Sequence, residues 1–112
     1  MNNESIKIGV SGNTAAPCYF AIKSKGYEIN ITSAVFPDAS HDRIFQFDAI
    51  KGGLFFSAGS PEELLGLIHM WELRGKNWQM STEESNIYIT EKINSPMYDV
   101  DSNLIEEADT QF

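Results

Sequence analysis

The chain has 112 residues, 42% hydrophobic and 12% aromatic, and its 16 acidic residues outnumber 8 lysines and arginines to leave a net charge of −8. That length supports one domain with its own core, the aromatic content excludes wholesale disorder, and no apolar run approaches the roughly 20 residues of a bilayer crossing. The lone Cys18 excludes an internal disulfide; Met1-Asn2-Asn3-Glu4 lacks the basic start and apolar stretch of a signal peptide, so a cytoplasmic protein is expected.

Residues 6–10 (IKIGV) alternate apolar and polar and run into Ser11-Gly12-Asn13, which predicts a strand followed by a turn. Residues 15–25 fit two patterns. As a helix, Pro17 lies near the first turn, Cys18, Ala21 and Ile22 share a face, and Gly26 ends it in the left-handed conformation. As a strand, Cys18, Phe20 and Ile22 alternate with Tyr19, Ala21 and Lys23. The stop signal of Lys23, Lys25 and Gly26 favours the helix.

Residues 27–36 (YEINITSAVF) predict a strand with Tyr27, Ile29 and Ile31 on one face, followed by a loop over residues 37–42. Residues 44–50 and 54–58 read as two strands joined across Lys51-Gly52-Gly53. Ser60, Pro61 and Glu63 then form an N-cap, a first-turn proline and a capping box, opening a helix over residues 61–74 that stops at Gly75. On it Leu64, Leu67, Ile68 and Trp71 make one stripe, with Leu65, Met70 and Leu73 off it. Gly66 in mid-helix costs about 1 kcal/mol relative to alanine, which predicts a close approach on that flank. Residues 86–92 fit a strand or a short helix, and residues 99–112 read as an acidic tail, frayed or ordered by a partner. The pattern as a whole is α+β: a mainly antiparallel sheet packed by the 61–74 helix and by a second near residues 15–25.

Charge is segregated along the chain. In residues 81–112 eight acids (Glu83, Glu84, Glu91, Asp99, Asp101, Glu106, Glu107 and Asp109) are opposed only by Lys92, whereas residues 1–80 carry eight acids and seven bases. An acidic segment threaded with Tyr88, Tyr98 and aliphatic anchors suits a basic protein partner and repels nucleic acid. Asp38, Asp42 and Asp48 form a second candidate acidic surface.

Chemical motifs are weaker. The loop Gly9-Val10-Ser11-Gly12-Asn13-Thr14-Ala15 has the G-x-x-G-x-x-A form that opens a nucleotide-binding βαβ unit. Pro17 removes an amide there, however, and no acid stands at the end of the following strand. Asp38, His41 and Asp42 can be drawn as a metal or general-base cluster, and His69 as a ligand, but a solvated loop and a helix flank account for them. Cys18 has no basic neighbours in sequence to depress its pKa. No catalytic residue, cofactor or metal is expected.

From Phe56 through Ser60-Pro61-Glu62-Glu63-Leu64-Leu65-Gly66-Leu67-Ile68-His69-Met70-Trp71-Glu72-Leu73-Arg74-Gly75 to Trp78, preceded by Gly9-Val10-Ser11-Gly12-Asn13 and Lys25-Gly26-Tyr27, the chain resembles small bacterial immunity proteins of contact-dependent growth inhibition and related polymorphic toxin systems. The resemblance covers about residues 5–80. It implies a non-catalytic antitoxin that binds one cognate toxin domain, often a basic nuclease, in the cytoplasm, and it carries no interface residues. The expected toxin is a nuclease, RNase in preference to DNase, held 1:1 by Asp99, Asp101, Glu106, Glu107, Tyr98 and Tyr88, with Asp38, Asp42 and Asp48 beside them. Two other classes stay open: a small nucleotide-binding domain using residues 9–15, and a structural homo-oligomeric module.

Overall fold

A computed structural model describes residues 5–38, 40 and 42–105. They fall into two compact units, divided between Trp78 and Gln79.

The first unit begins with residues 5–10 in no regular structure, against the expected strand. Alternation supplies the propensity for a strand, but a strand exists only through a neighbour's hydrogen bonds, and among the described residues no strand pairs with the segment. Ile6, Ile8 and Val10 are consequently 81–83% exposed. A turn follows, in which the Thr14 amide donates to the Ser11 carbonyl at 3.2 Å. Helix α1 (Ala15–Ser24) ends as its sequence signals require: Gly26 adopts φ +92° and its amide donates to the Lys23 carbonyl at 2.9 Å.

Strands β1 (Glu28–Val35), β2 (Arg43–Lys51) and β3 (Leu54–Ala58) form an antiparallel sheet in that order. Lys51 pairs with Leu54, leaving a two-residue turn with Gly52 at φ +57°, a conformation glycine takes without a Cβ clash. Register sets the two faces. Ile29 and Phe56 both pair with Ala49, so these share a face with Tyr27, Phe47, Leu54 and Ala58. The opposite face carries Glu28, Asn30, Gln46, Asp48 and Ser57, interrupted by Ile44, Ile50 and Phe55.

Helix α2 (Pro61–Arg74) covers the first face. The Ser60 hydroxyl accepts from the Glu63 amide at 3.2 Å, and Gly75 closes the helix at φ +63°. Its stripe enters the core unevenly: Leu64 and Ile68 are fully buried, as is Ile22 from α1, while Leu67 and Trp71 are half-buried. Each full burial contributes on the order of 1.5–3 kcal/mol. Gly66 contradicts the expectation of a close approach: it is exposed, and a Cβ placed there meets nothing within 4 Å.

Two cross-links orient the helices. Thr14 Oγ1 lies 2.7 Å from Glu62 Oε2 at the start of α2, and Lys25 Nζ donates to Glu72 at 2.9 Å near its end, so α1 and α2 run parallel. Both helices therefore start at the Ala58 end of β3. Beyond that end β1 and β2 continue as a two-stranded arm whose Val35, Ile44 and Phe45 are 42–57% exposed.

In the second unit, residues left open between strand and short helix are helical: α3 spans Thr82–Ile93. The reason is a complete capping box, with the Glu84 amide donating to Ser81 Oγ and the Ser81 amide donating to Glu84 Oε1, both at 3.1 Å. A small hairpin follows, β4 (Met97–Tyr98) paired with β5 (Leu104–Ile105). Of residues 99–112, the turn and second strand thus account for residues 99–105, and residues 106–112 lie outside the described residues. The fold is α+β.

Candidate functional site

The acidic residues singled out in the sequence occupy three places. Asp99 and Asp101 share the β4–β5 turn with Tyr98. The Asp99 carboxylate is occupied there: Oδ1 accepts the amides of Asp101 and Asn103, both at 2.9 Å, and Oδ2 accepts the Asn103 side-chain amide at 3.3 Å. These bonds, the Asn103 amide foremost, hold its carboxyl below the usual carboxylate range. Asp99 therefore builds the turn, and Asp101 is exposed beside it. Tyr98 is 60% exposed. Glu106 and Glu107 lie outside the described residues.

Tyr88 is on α3, also 60% exposed, and Lys92, the one base of residues 81–112, places its ammonium 5.5 Å from the Tyr88 ring centre. Ile87, Ile89 and Ile93 of the same helix are exposed.

Asp38, Asp42 and Asp48 belong to the first unit but do not form one surface. Asp38 and Asp42 are held around Ser40 in the loop at the tip of the arm; Asp38 Oδ1 accepts the Ser40 amide at 3.1 Å and the Asp42 amide donates to Ser40 Oγ at 3.3 Å. Asp48 is six residues further along β2, roughly 20 Å away by strand rise. It is half-buried on the polar face, accepting from Gln46 Nε2 at 3.1 Å.

The other motifs find ordinary settings. The loop of residues 9–15 is a turn rather than the opening of a βαβ unit. The Glu62 carboxylate stands where a phosphate would have to approach, and the Thr14 hydroxyl, 2.8 Å from the Ser11 carbonyl and 2.7 Å from Glu62, has one proton to share between them. A negative charge at that helix start disfavours an anionic ligand. His69 is solvent-facing, Nδ1 3.9 Å from Glu72; His41 lies outside the described residues. Cys18 is a half-buried free thiol. Among the described residues no three His, Cys, Asp or Glu side chains group to hold a metal ion, and no helix is long and apolar enough to cross a membrane.

One feature escaped the sequence reading. Along β3 and a flank of α2 runs a groove of about 370 Å³, lined by Leu67, Met70 and Trp71 from the helix, by Leu54 and Phe56 from the strand, and by Trp78. The only sequence signs of it are a helix apolar beyond one stripe and the uninterrupted Leu54-Phe55-Phe56 run.

No protein-family model matches the chain, and neither a curated protein nor a solved structure matches it.

Proposed function

We propose that the protein is an immunity protein, a non-catalytic antitoxin that binds a cationic toxin domain, a nuclease and in the first place an RNase, and masks its substrate-binding surface. The observation that carries this reading is the charge distribution: eight of 16 acids lie in residues 81–112 against one base. A lysine- or arginine-lined groove shaped for nucleic-acid phosphate is the natural complement of such a segment. Exposed Tyr88 and Tyr98 beside these acids supply the aromatic anchors that carry binding energy when desolvated. The partner is a single toxin domain, 1:1, met in the cytoplasm. The geometry favours Asp101 over Asp99 as the direct contact, because Asp99 already satisfies three donors of its own turn.

The test is co-expression of the chain with the toxin domain encoded beside its gene. The reading requires a stoichiometric complex that survives purification and loss of nuclease activity at one equivalent of antitoxin. Free toxin with undiminished nuclease activity contradicts it.

A further inference from the structure

The chain contains both halves of an unmade strand pairing. One half is residues 6–10, patterned as a strand and left without a neighbour, with Ile6, Ile8 and Val10 over 80% exposed. The other is β3, an edge strand: β2 occupies one side of it and, among the described residues, no strand the other. The Lys51–Leu54 pair closes a two-residue turn, so alternate pairs exchange the hydrogen bonds to β2. That turns the N–H and C=O groups of Phe55 and Ser57 outward, along the groove.

We propose that residues 6–10 of a second copy of this chain add to β3 as an antiparallel fourth strand, reciprocally, in a twofold-symmetric dimer. Five residues meet five when Ile6 lies opposite Ala58, Lys7 opposite Ser57, Ile8 opposite Phe56, Gly9 opposite Phe55 and Val10 opposite Leu54. In that register the period of two puts Ile6, Ile8 and Val10 on the face of Leu54 and Phe56, beneath Leu67, Met70 and Trp71. Lys7 emerges on the polar face, where Ser57 separates it from Asp48. Two strand spacings, about 10 Å, lie within a lysine's reach of that carboxylate. Gly9 leaves room for the Phe55 ring, which is 61% exposed on the same face. The apolar side of the segment thus matches the groove and its one cation matches the one carboxylate of the neighbouring strand.

A chain cannot make this pairing with itself. Val10 adjoins Ser11, which is tied through Thr14 to Glu62 at the start of α2, beyond the Ala58 end of β3. Leu54, its partner in the register, is at the opposite end, about 13 Å along the strand. The exchange is isologous, each copy lending and receiving the same strand, so it closes at two. It is independent of the toxin reading.

Sedimentation of the full chain across the micromolar range, with tryptophan emission followed in parallel, tests this. The mass should rise to twice 12.5 kDa, with a blue shift of emission because Trp71 and Trp78 line the groove. Gly9→Pro removes the N–H that this register aims at the Phe55 carbonyl, at an exposed residue that packs on nothing in the free chain, and should remain monomeric with unshifted emission. Lys7→Glu should weaken the dimer several-fold and Asp48→Lys added to it should restore most of the loss. A monomer at every concentration overturns the proposal, as does a dimer that Gly9→Pro retains. A dimer formed without the emission shift places the strand elsewhere and overturns the register. A blue shift independent of concentration shows the segment docking within its own chain, which overturns the exchange.

Discussion

Replacing Gly66 by alanine should stabilise the protein, and the size follows from its surroundings. Gly66 lies in the interior of α2, away from the left-handed region, and an added Cβ has open space on all sides. Nothing is lost on substitution, so the full difference in helix propensity, about 1 kcal/mol, should appear. With a urea m-value of about 1–3 kcal/mol/M the unfolding midpoint should rise by roughly 0.5 M at unchanged slope, and the melting temperature by about 4–8 °C. Trp71 and Trp78 lie in the same unit as α2, so their emission is a suitable probe. Gly75→Ala is the opposing control: at φ +63°, ψ −144° a side chain is strained, and a loss of about 1 kcal/mol or more is expected. A neutral or destabilising Gly66→Ala would mean that something presses on that flank, and the open surface described above would be wrong.

Ile68→Ala removes one of the three large side chains fully buried among the described residues and should cost about 2–5 kcal/mol in the same titration; a loss under about 1 kcal/mol would show that the core lies elsewhere. Ser81→Ala removes the hydroxyl that accepts from the Glu84 amide, leaving the α3 capping box only the bond from the Ser81 amide to Glu84 Oε1, and should cost that helix about 1 kcal/mol, seen as reduced amide protection over residues 82–93, with no change over residues 61–74. The Asp99 carboxyl should titrate below its ordinary value of 3.8. Its folded value is depressed, so the turn's contribution is present above the unfolded value and is lost as pH falls through the folded one. Carbon-detected NMR titration of Asp99, with the Asn103 amide as reporter, checks this, and a midpoint at or above 3.8 contradicts the turn geometry.

Elements with local, redundant signals were legible from residues alone. Ser60, Pro61, Glu63 and Gly75 each say where α2 begins or ends, and the structure places those boundaries as the residues do. The β2–β3 turn needed only two glycines. The same capping logic stands at Ser81 and Glu84, but the scattered apolar residues of 86–92 obscured it, because α3 has no single buried face: Ile87, Tyr88, Ile89 and Ile93 are all exposed. Residues 6–10 show the opposite limit. Alternation states what a segment prefers, and whether a free edge lies within reach is decided by the whole fold. The groove along β3 depends on where α2 and Trp78 come to rest, which no local pattern encodes. Among the acidic residues, composition located the charge, while only geometry distinguishes Asp99, committed to its turn, from Asp101 beside it.

The antitoxin reading stands or falls on the association rate between this chain and the toxin domain encoded next to it, measured by stopped flow from low to high ionic strength. The account predicts fast association that slows steeply with salt, as steering between opposite charges requires, and that slows again when Asp101, Glu106 and Glu107 are reversed to lysine. A rate indifferent to salt and to those reversals would contradict it.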